Sequence, residues 1–207
     1  MNPPFRTLHP CPALLAALAG AALILLLQAV PEALAALEYR RALLANQPWR
    51  LLTAHLVHVN WTHALVNAAA WLVLARLFAP HLPARRQLLS LAFGAALTSL
   101  GLAALFPAIE WYRGASGALH ALFFVGATAA FASAARSRAW QAALPPLALL
   151  AGGWIKVALE FPRGAATPHV EWLGAATVPQ AHLLGAIAGT AMGLFLAGRQ
   201  LRRANDA

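Results

Sequence analysis

The chain has 207 residues, of which 61% are hydrophobic and 10% charged, with a mean hydropathy of +0.65. A soluble domain carries about 25% charged residues, so composition excludes an ordinary water-facing surface. With the long apolar runs, it points instead to an integral membrane protein. The net charge of +9 does not indicate nucleic acid, because the arginines stand singly or in pairs between apolar runs, as loop anchors do. Cys11 is the only cysteine, which excludes an intramolecular disulfide and a cysteine-based metal site. A single membrane domain over residues 1–207 is the simplest organisation.

A membrane helix needs roughly 20 apolar residues. Six stretches qualify, at about 12–30, 56–78, 87–106, 116–135, 142–159 and 180–198, so an all-α, six-helix bundle is expected. The first has a basic start at Arg6, as a signal peptide has, but no small-residue cleavage site before a soluble domain follows it. It therefore reads as a retained helix. Glu32 to Arg50 reads as a polar connection. The second span is unusual in carrying His58, His63 and Asn67 in its first half. In the fifth, Pro145-Pro146 disturbs the start and Lys156 lies near the end, where it can snorkel outward. Glu160 to Pro179 reads as a loop.

Orientation follows from counting arginines on alternate sides. With the N-terminus in the cytoplasm, that side collects Arg6, Arg76, Arg85, Arg86, Arg136, Arg138, Arg199, Arg202 and Arg203. The outer side collects only Arg40, Arg41, Arg50, Arg113 and Arg163. Both termini are therefore expected in the cytoplasm. Helices two, four and six then all run inward. His63, Asn67 and His58 lie early in the second, Ser116 opens the fourth with His120 one turn deeper, and His182 starts the sixth. Polar groups within a bilayer face a bundle interior or a water cavity, so these imply one pocket opening outward.

Serine and histidine within hydrogen-bond reach make a nucleophile and its general base. The glycines around Ser116 admit a close approach, and a helix N-terminus aims unpaired N–H groups at a developing oxyanion. His63 and Asn67, at i and i+4, share one helix face and can donate to the same charge. No acid falls inside any span, so a Ser-His dyad is the most that this reading builds. Gly185, Gly189 and Gly193 form a bare stripe on the last helix that permits close packing. The fourth helix, with Gly117 and Ala121, is the expected partner.

Blander readings stand beside these. Serine in a membrane helix commonly packs or bonds back to its own backbone. His55 and His169 read as interfacial, and His9 and His81 as cytoplasmic and solvated. The spacing of His55, His58 and His63 does not keep all three on one face, so no metal site is expected.

Taken together, the motifs resemble those of the rhomboid intramembrane serine proteases, from Trp49 to Gly193. Gly114-Ala115-Ser116-Gly117 is similar to the GxSG motif, and Ala181-His182 with Gly185 and Gly189 to the AHxxGxxxG pattern. His58, His63 and Asn67 match the HxxxxHxxxN signature, and Trp49-Arg50 the WR pair of the first outer loop. The resemblance implies Ser116 as nucleophile, His182 as base, and His63 and Asn67 as oxyanion donors. Gly114 and His120 are then pocket residues, His58 is a nearby structural or pocket histidine, and no cofactor is needed. The run from Tyr112 to His120, with Lys156-Val157-Ala158-Leu159-Glu160, looks most like the rhombosortase branch. That branch implies single-span substrates with C-terminal Gly-Gly tails, a bacterial inner membrane and a site opening to the periplasm. It leaves open whether water or an amine resolves the acyl-enzyme. Two other readings are a proteolytically inactive binder of membrane helices and a small transporter. An intact Ser116 and His182 argue against the first, and the lack of an inverted repeat against the second.

Overall fold

The computed structural model describes residues 11–163 and 177–205. His9 and His169 lie outside them. Pro12 sits in the first turn of α1 (Pro12–Gln28), where its missing N–H is no loss. Pro31 then breaks the chain direction, and α2 (Pro31–Leu37) leaves at 107° to α1. The expected polar connection is therefore structured. After α2 come β1 (Tyr39–Arg40), a 3-10 turn at Arg41–Leu43 and α3 (Arg50–Thr53).

Asn60 caps α4 (Trp61–Phe78), its side-chain oxygen accepting the His63 N–H at 2.9 Å. The second span thus begins at residue 61 rather than 56, and His58 lies before it, in the loop. α5 (Ala84–Leu105) leads through β2 (Trp111–Tyr112) to α6 (Ser116–Arg136). α7 (Trp140–Glu160) starts earlier than expected and runs through Pro145 and Pro146. It also ends on Glu160, which is helical rather than part of a loop. α8 runs Pro179–Asn205. By length and composition α4, α5, α6, α7 and α8 each suffice to cross a membrane, while α1 and α2 reach that length only as a pair bent by 107°.

α6 is the central helix, packed against α4, α5, α7 and most extensively α8. Lipid tails leave no hydrophobic gain for helix association, so small residues and close backbone contact hold such a bundle. The α6–α8 seam follows this rule. A Cβ built on Gly185 would lie 2.0 Å from the Gly117 carbonyl oxygen, and one on Gly189 2.4 Å from that of Ala121. The glycine stripe meets the partner expected for it.

The arginines of the first loop serve as fasteners. The Arg41 guanidinium donates to the carbonyls of Leu102 and Phe106 at 2.8 Å, Ala103 at 2.9 Å and Ile109 at 3.1 Å. These are carbonyls at and just beyond the C-terminus of α5, where the helix leaves acceptors unpaired and a cation is favoured. Arg50 is buried and donates to Glu38 O at 2.7 Å, Ala35 O at 3.0 Å and Gln47 Oε1 at 2.6 Å. β1 pairs antiparallel with β2, Tyr39 opposite Tyr112. Buried Glu38 bonds both Arg40 and Arg113. The first loop thereby pins the segment that enters α6 at Ser116.

Candidate active site

Ser116 is the first residue of α6, and its approach is set by neighbouring polar contacts. Gly114 has φ +131°, a conformation that L side chains rarely adopt, and a Cβ there would lie 2.7 Å from His63 Cε1. Glycine is needed both for the turn and for the approach of the His63 ring. Tyr112 donates its hydroxyl to the Gly114 carbonyl at 2.6 Å, and the Gly117 N–H points to the same hydroxyl at 3.4 Å. Burial pushes the Tyr112 phenol up to about 12, so it remains a donor at neutral pH. The Ala115 N–H donates to His58 Nε2 at 3.2 Å.

His182, in the first turn of α8, brings Nε2 to 3.0 Å from Ser116 Oγ. The two residues are 66 positions apart in sequence, so only the packing of α8 on α6 makes this contact. On its other side His182 meets Glu160 at 2.9 Å, Nδ1 to Oε2. The expectation that no carboxylate could reach the pair is therefore corrected. α7 extends one residue beyond its apolar run, and that residue is the acid. Lys156 reaches toward the end of α7, where its Nζ lies 2.7 Å from Glu160 Oε2 and 3.1 Å from His120 Nε2. His120 Nδ1 in turn lies 2.7 Å from the Ser116 carbonyl oxygen, and its ring stacks on that of His182 at 4.3 Å and 15°.

Ser116, His182, His63, Asn67, His120, Lys156 and Glu160 all line one cavity of about 320 Å³. Asn67 lies there with its amide donating to the His63 carbonyl at 2.8 Å. His58 and Gly114 do not line this cavity, and His58 takes the structural one of the two roles expected for it. The His58 ring is fully buried, edge-on to His63 with centroids 5.0 Å apart. His55 is buried, 3.0 Å from Ser99 Oγ and edge-on to Tyr112. His81 is exposed, as its loop position implied.

The two loop histidines carry a pH dependence. Burial lowers His55 from the ordinary histidine value to about 4. Burial, then the neighbouring His63 and His55, lower His58 to about 3. Both are neutral when folded but take up protons near pH 6.5 when unfolded. Their contribution to stability is thus complete above pH 6.5 and is lost as the pH falls through the window down to the folded values. Each adds a slope of up to about 1.4 kcal/mol per pH unit inside that window. The melting temperature of detergent-solubilised protein is expected to fall steadily from pH 6.5 to pH 4. A profile flat over that range would contradict the buried, neutral state of both rings.

Sequence reasoning left Glu160, Lys156 and Tyr112 without a role in the site. The available signal was the Lys156–Glu160 spacing of i, i+4, which puts both on one helix face once α7 is allowed to include Glu160.

Fold and site define an integral multi-pass membrane protein whose central helix offers a serine hydroxyl to an imidazole from the last helix. Residues 45–199 match the family model described as Rhomboid domain, and the chain belongs to the rhomboid family, whose members are intramembrane serine proteases. A comparison with curated proteins finds no match.

Proposed function

We propose that this protein is an intramembrane serine endopeptidase in which Ser116 is the nucleophile and His182 the general base. The observation that carries the reading is the 3.0 Å approach of His182 Nε2 to Ser116 Oγ inside a polar cavity. Ser116 Oγ attacks the scissile carbonyl carbon while its proton passes to His182 Nε2. The tetrahedral oxyanion is held by the Ser116 N–H, His63 and Asn67. Collapse breaks the C–N bond, and His182 returns the proton to the departing amine. Water then attacks the acyl-enzyme by the same route, or an amine takes the acyl group.

The substrates are single-span membrane proteins, and those with C-terminal Gly-Gly tails are favoured by the similarity of Tyr112–His120 and Lys156–Glu160 to rhombosortases. A tail of glycines unwinds readily, because glycine is a poor helix former. Val66 and Ala70 of α4 and Lys156 of α7 all line the cavity, which supports entry of the substrate segment on the side of these helices. The excess of arginine on one side supports cytoplasmic termini, and the similarity to rhombosortases supports a bacterial inner membrane with cleavage near the periplasmic face.

The test is labelling of reconstituted protein by a fluorophosphonate probe, alongside cleavage of a reporter carrying a glycine-tailed membrane helix. Wild type is expected to be labelled and to cut the reporter. Ser116→Ala should abolish both, and His182→Ala should slow both by on the order of 10³-fold or more. Labelling that persists in Ser116→Ala, or wild type that neither labels nor cuts, would refute the protease reading.

A further inference from the structure

Lys156, Glu160 and His120 have no part in the chemistry above, yet all three stand against it. Glu160 is the last residue of α7, the end at which the helix dipole disfavours negative charge. Lys156 precedes it at i, i+4, which is the less favourable order for such a pair. Helix stability therefore does not account for this acid, but its contacts do. Glu160 Oε2 accepts from His182 Nδ1 at 2.9 Å and from the Lys156 ammonium at 2.7 Å. With the proton on Nδ1, His182 Nε2 is bare toward Ser116 Oγ, 3.0 Å away. That is the neutral tautomer able to accept the serine proton.

The chain of contacts continues back to its start. Lys156 donates to His120 Nε2 at 3.1 Å, and His120 Nδ1–H donates to the Ser116 carbonyl at 2.7 Å. The tautomers of both histidines are thus determined by their partners. We propose that Glu160 is a positioning residue that completes a Ser116–His182–Glu160 triad, with Lys156 and His120 closing the hydrogen-bonded ring that holds it. This rests on the reading of Ser116 and His182 as nucleophile and base. Glu160 selects the Nδ1–H tautomer and stabilises the imidazolium that forms when the serine proton moves, without itself taking that proton. Lys156 supplies the opposite charge that a carboxylate removed from water requires. The stacked His120 ring limits the tilt of His182.

The experiment measures fluorophosphonate inactivation of the full chain, resolved into a maximal rate and a half-saturating concentration. Wild type, Glu160→Gln and Glu160→Asp are compared with a thermal melt of each. In Glu160→Gln the maximal rate should fall by on the order of 10² to 10⁴-fold with the half-saturating concentration unchanged. Glu160→Asp, which keeps the charge on a shorter arm, should recover part of that loss. In ¹⁵N-histidine-labelled protein, the downfield Nδ1 proton signal that His182→Ala removes should also vanish in Glu160→Gln. A merely structural ion pair would lower the melting temperature while leaving the rate per folded molecule and the His182 proton signal unchanged, and that result overturns the triad. Wild type that the probe never labels overturns the protease reading, and the triad with it. A labelled wild type with Glu160→Gln reacting at the same rate overturns the triad alone.

Discussion

Gly185→Ala is expected to cost both the fold and the site heavily. The added Cβ would stand 2.0 Å from the Gly117 carbonyl oxygen and 2.8 Å from its carbon. These are backbone atoms of α6 with no rotamer to change, so α8 itself must move. Overpacking of this kind typically costs about 1–3 kcal/mol, and a seam of backbone against backbone belongs at the upper end. His182 lies one turn from Gly185 and moves with it. A displacement of about 1 Å costs reactions of this type on the order of 10²-fold, so probe labelling should fall by at least that much. Gly152→Ala is the control, since a Cβ there meets nothing within 4 Å. It should be neutral or slightly stabilising, because alanine is the better helix former. Equal behaviour of the two variants, in melting and in labelling, would refute the close seam.

Glu38→Gln is expected to produce the largest loss from outside the site. Glu38 is 1% exposed and bonds Arg113, itself next to Gly114, as well as Arg40. Removing one partner of a fully buried ion pair costs about 3–5 kcal/mol. Arg113 is 22% exposed and Arg40 54%, so both regain some water, and about 2–3 kcal/mol is the expected loss here. The Glu38 carbonyl still accepts from Arg50 in the variant, so the loop should loosen rather than detach. Chemical denaturation in detergent measures the cost. A loss below about 0.5 kcal/mol, the scale of an exposed pair, would show that the first loop does not depend on this acid.

Much of the architecture was legible because a membrane is a strong selector. The apolar runs located the membrane-length helices α4 to α8 to within about five residues, and strict alternation gave every second helix a common direction. Ser116, His63, Asn67 and His182 could then be placed at one end of the bundle before any coordinate was known. The four-residue glycine spacing on α8 also named its partner face on α6, because backbones approach closely only where side chains are absent. His58 was assigned to the second span, but Asn60 caps α4 behind it. Residues 32–50 looked like a connection because short helices and a two-residue strand have too little periodicity to register. The burial of His55 was not legible, because a lone histidine carries no mark of what will cover it.

Glu160 draws the line between the two kinds of information. Sequence by itself determined a membrane-embedded helical bundle with a serine and a histidine at one end, because hydrophobicity and period report on solvent along the chain. Whether an acid joins them depends on α7 carrying helix one residue past its apolar run and turning that face to His182. Those quantities are rotations and translations of about an ångström between helices. They are settled by close contacts such as Gly185 on Gly117 and Gly189 on Ala121, and only the tertiary structure contains them.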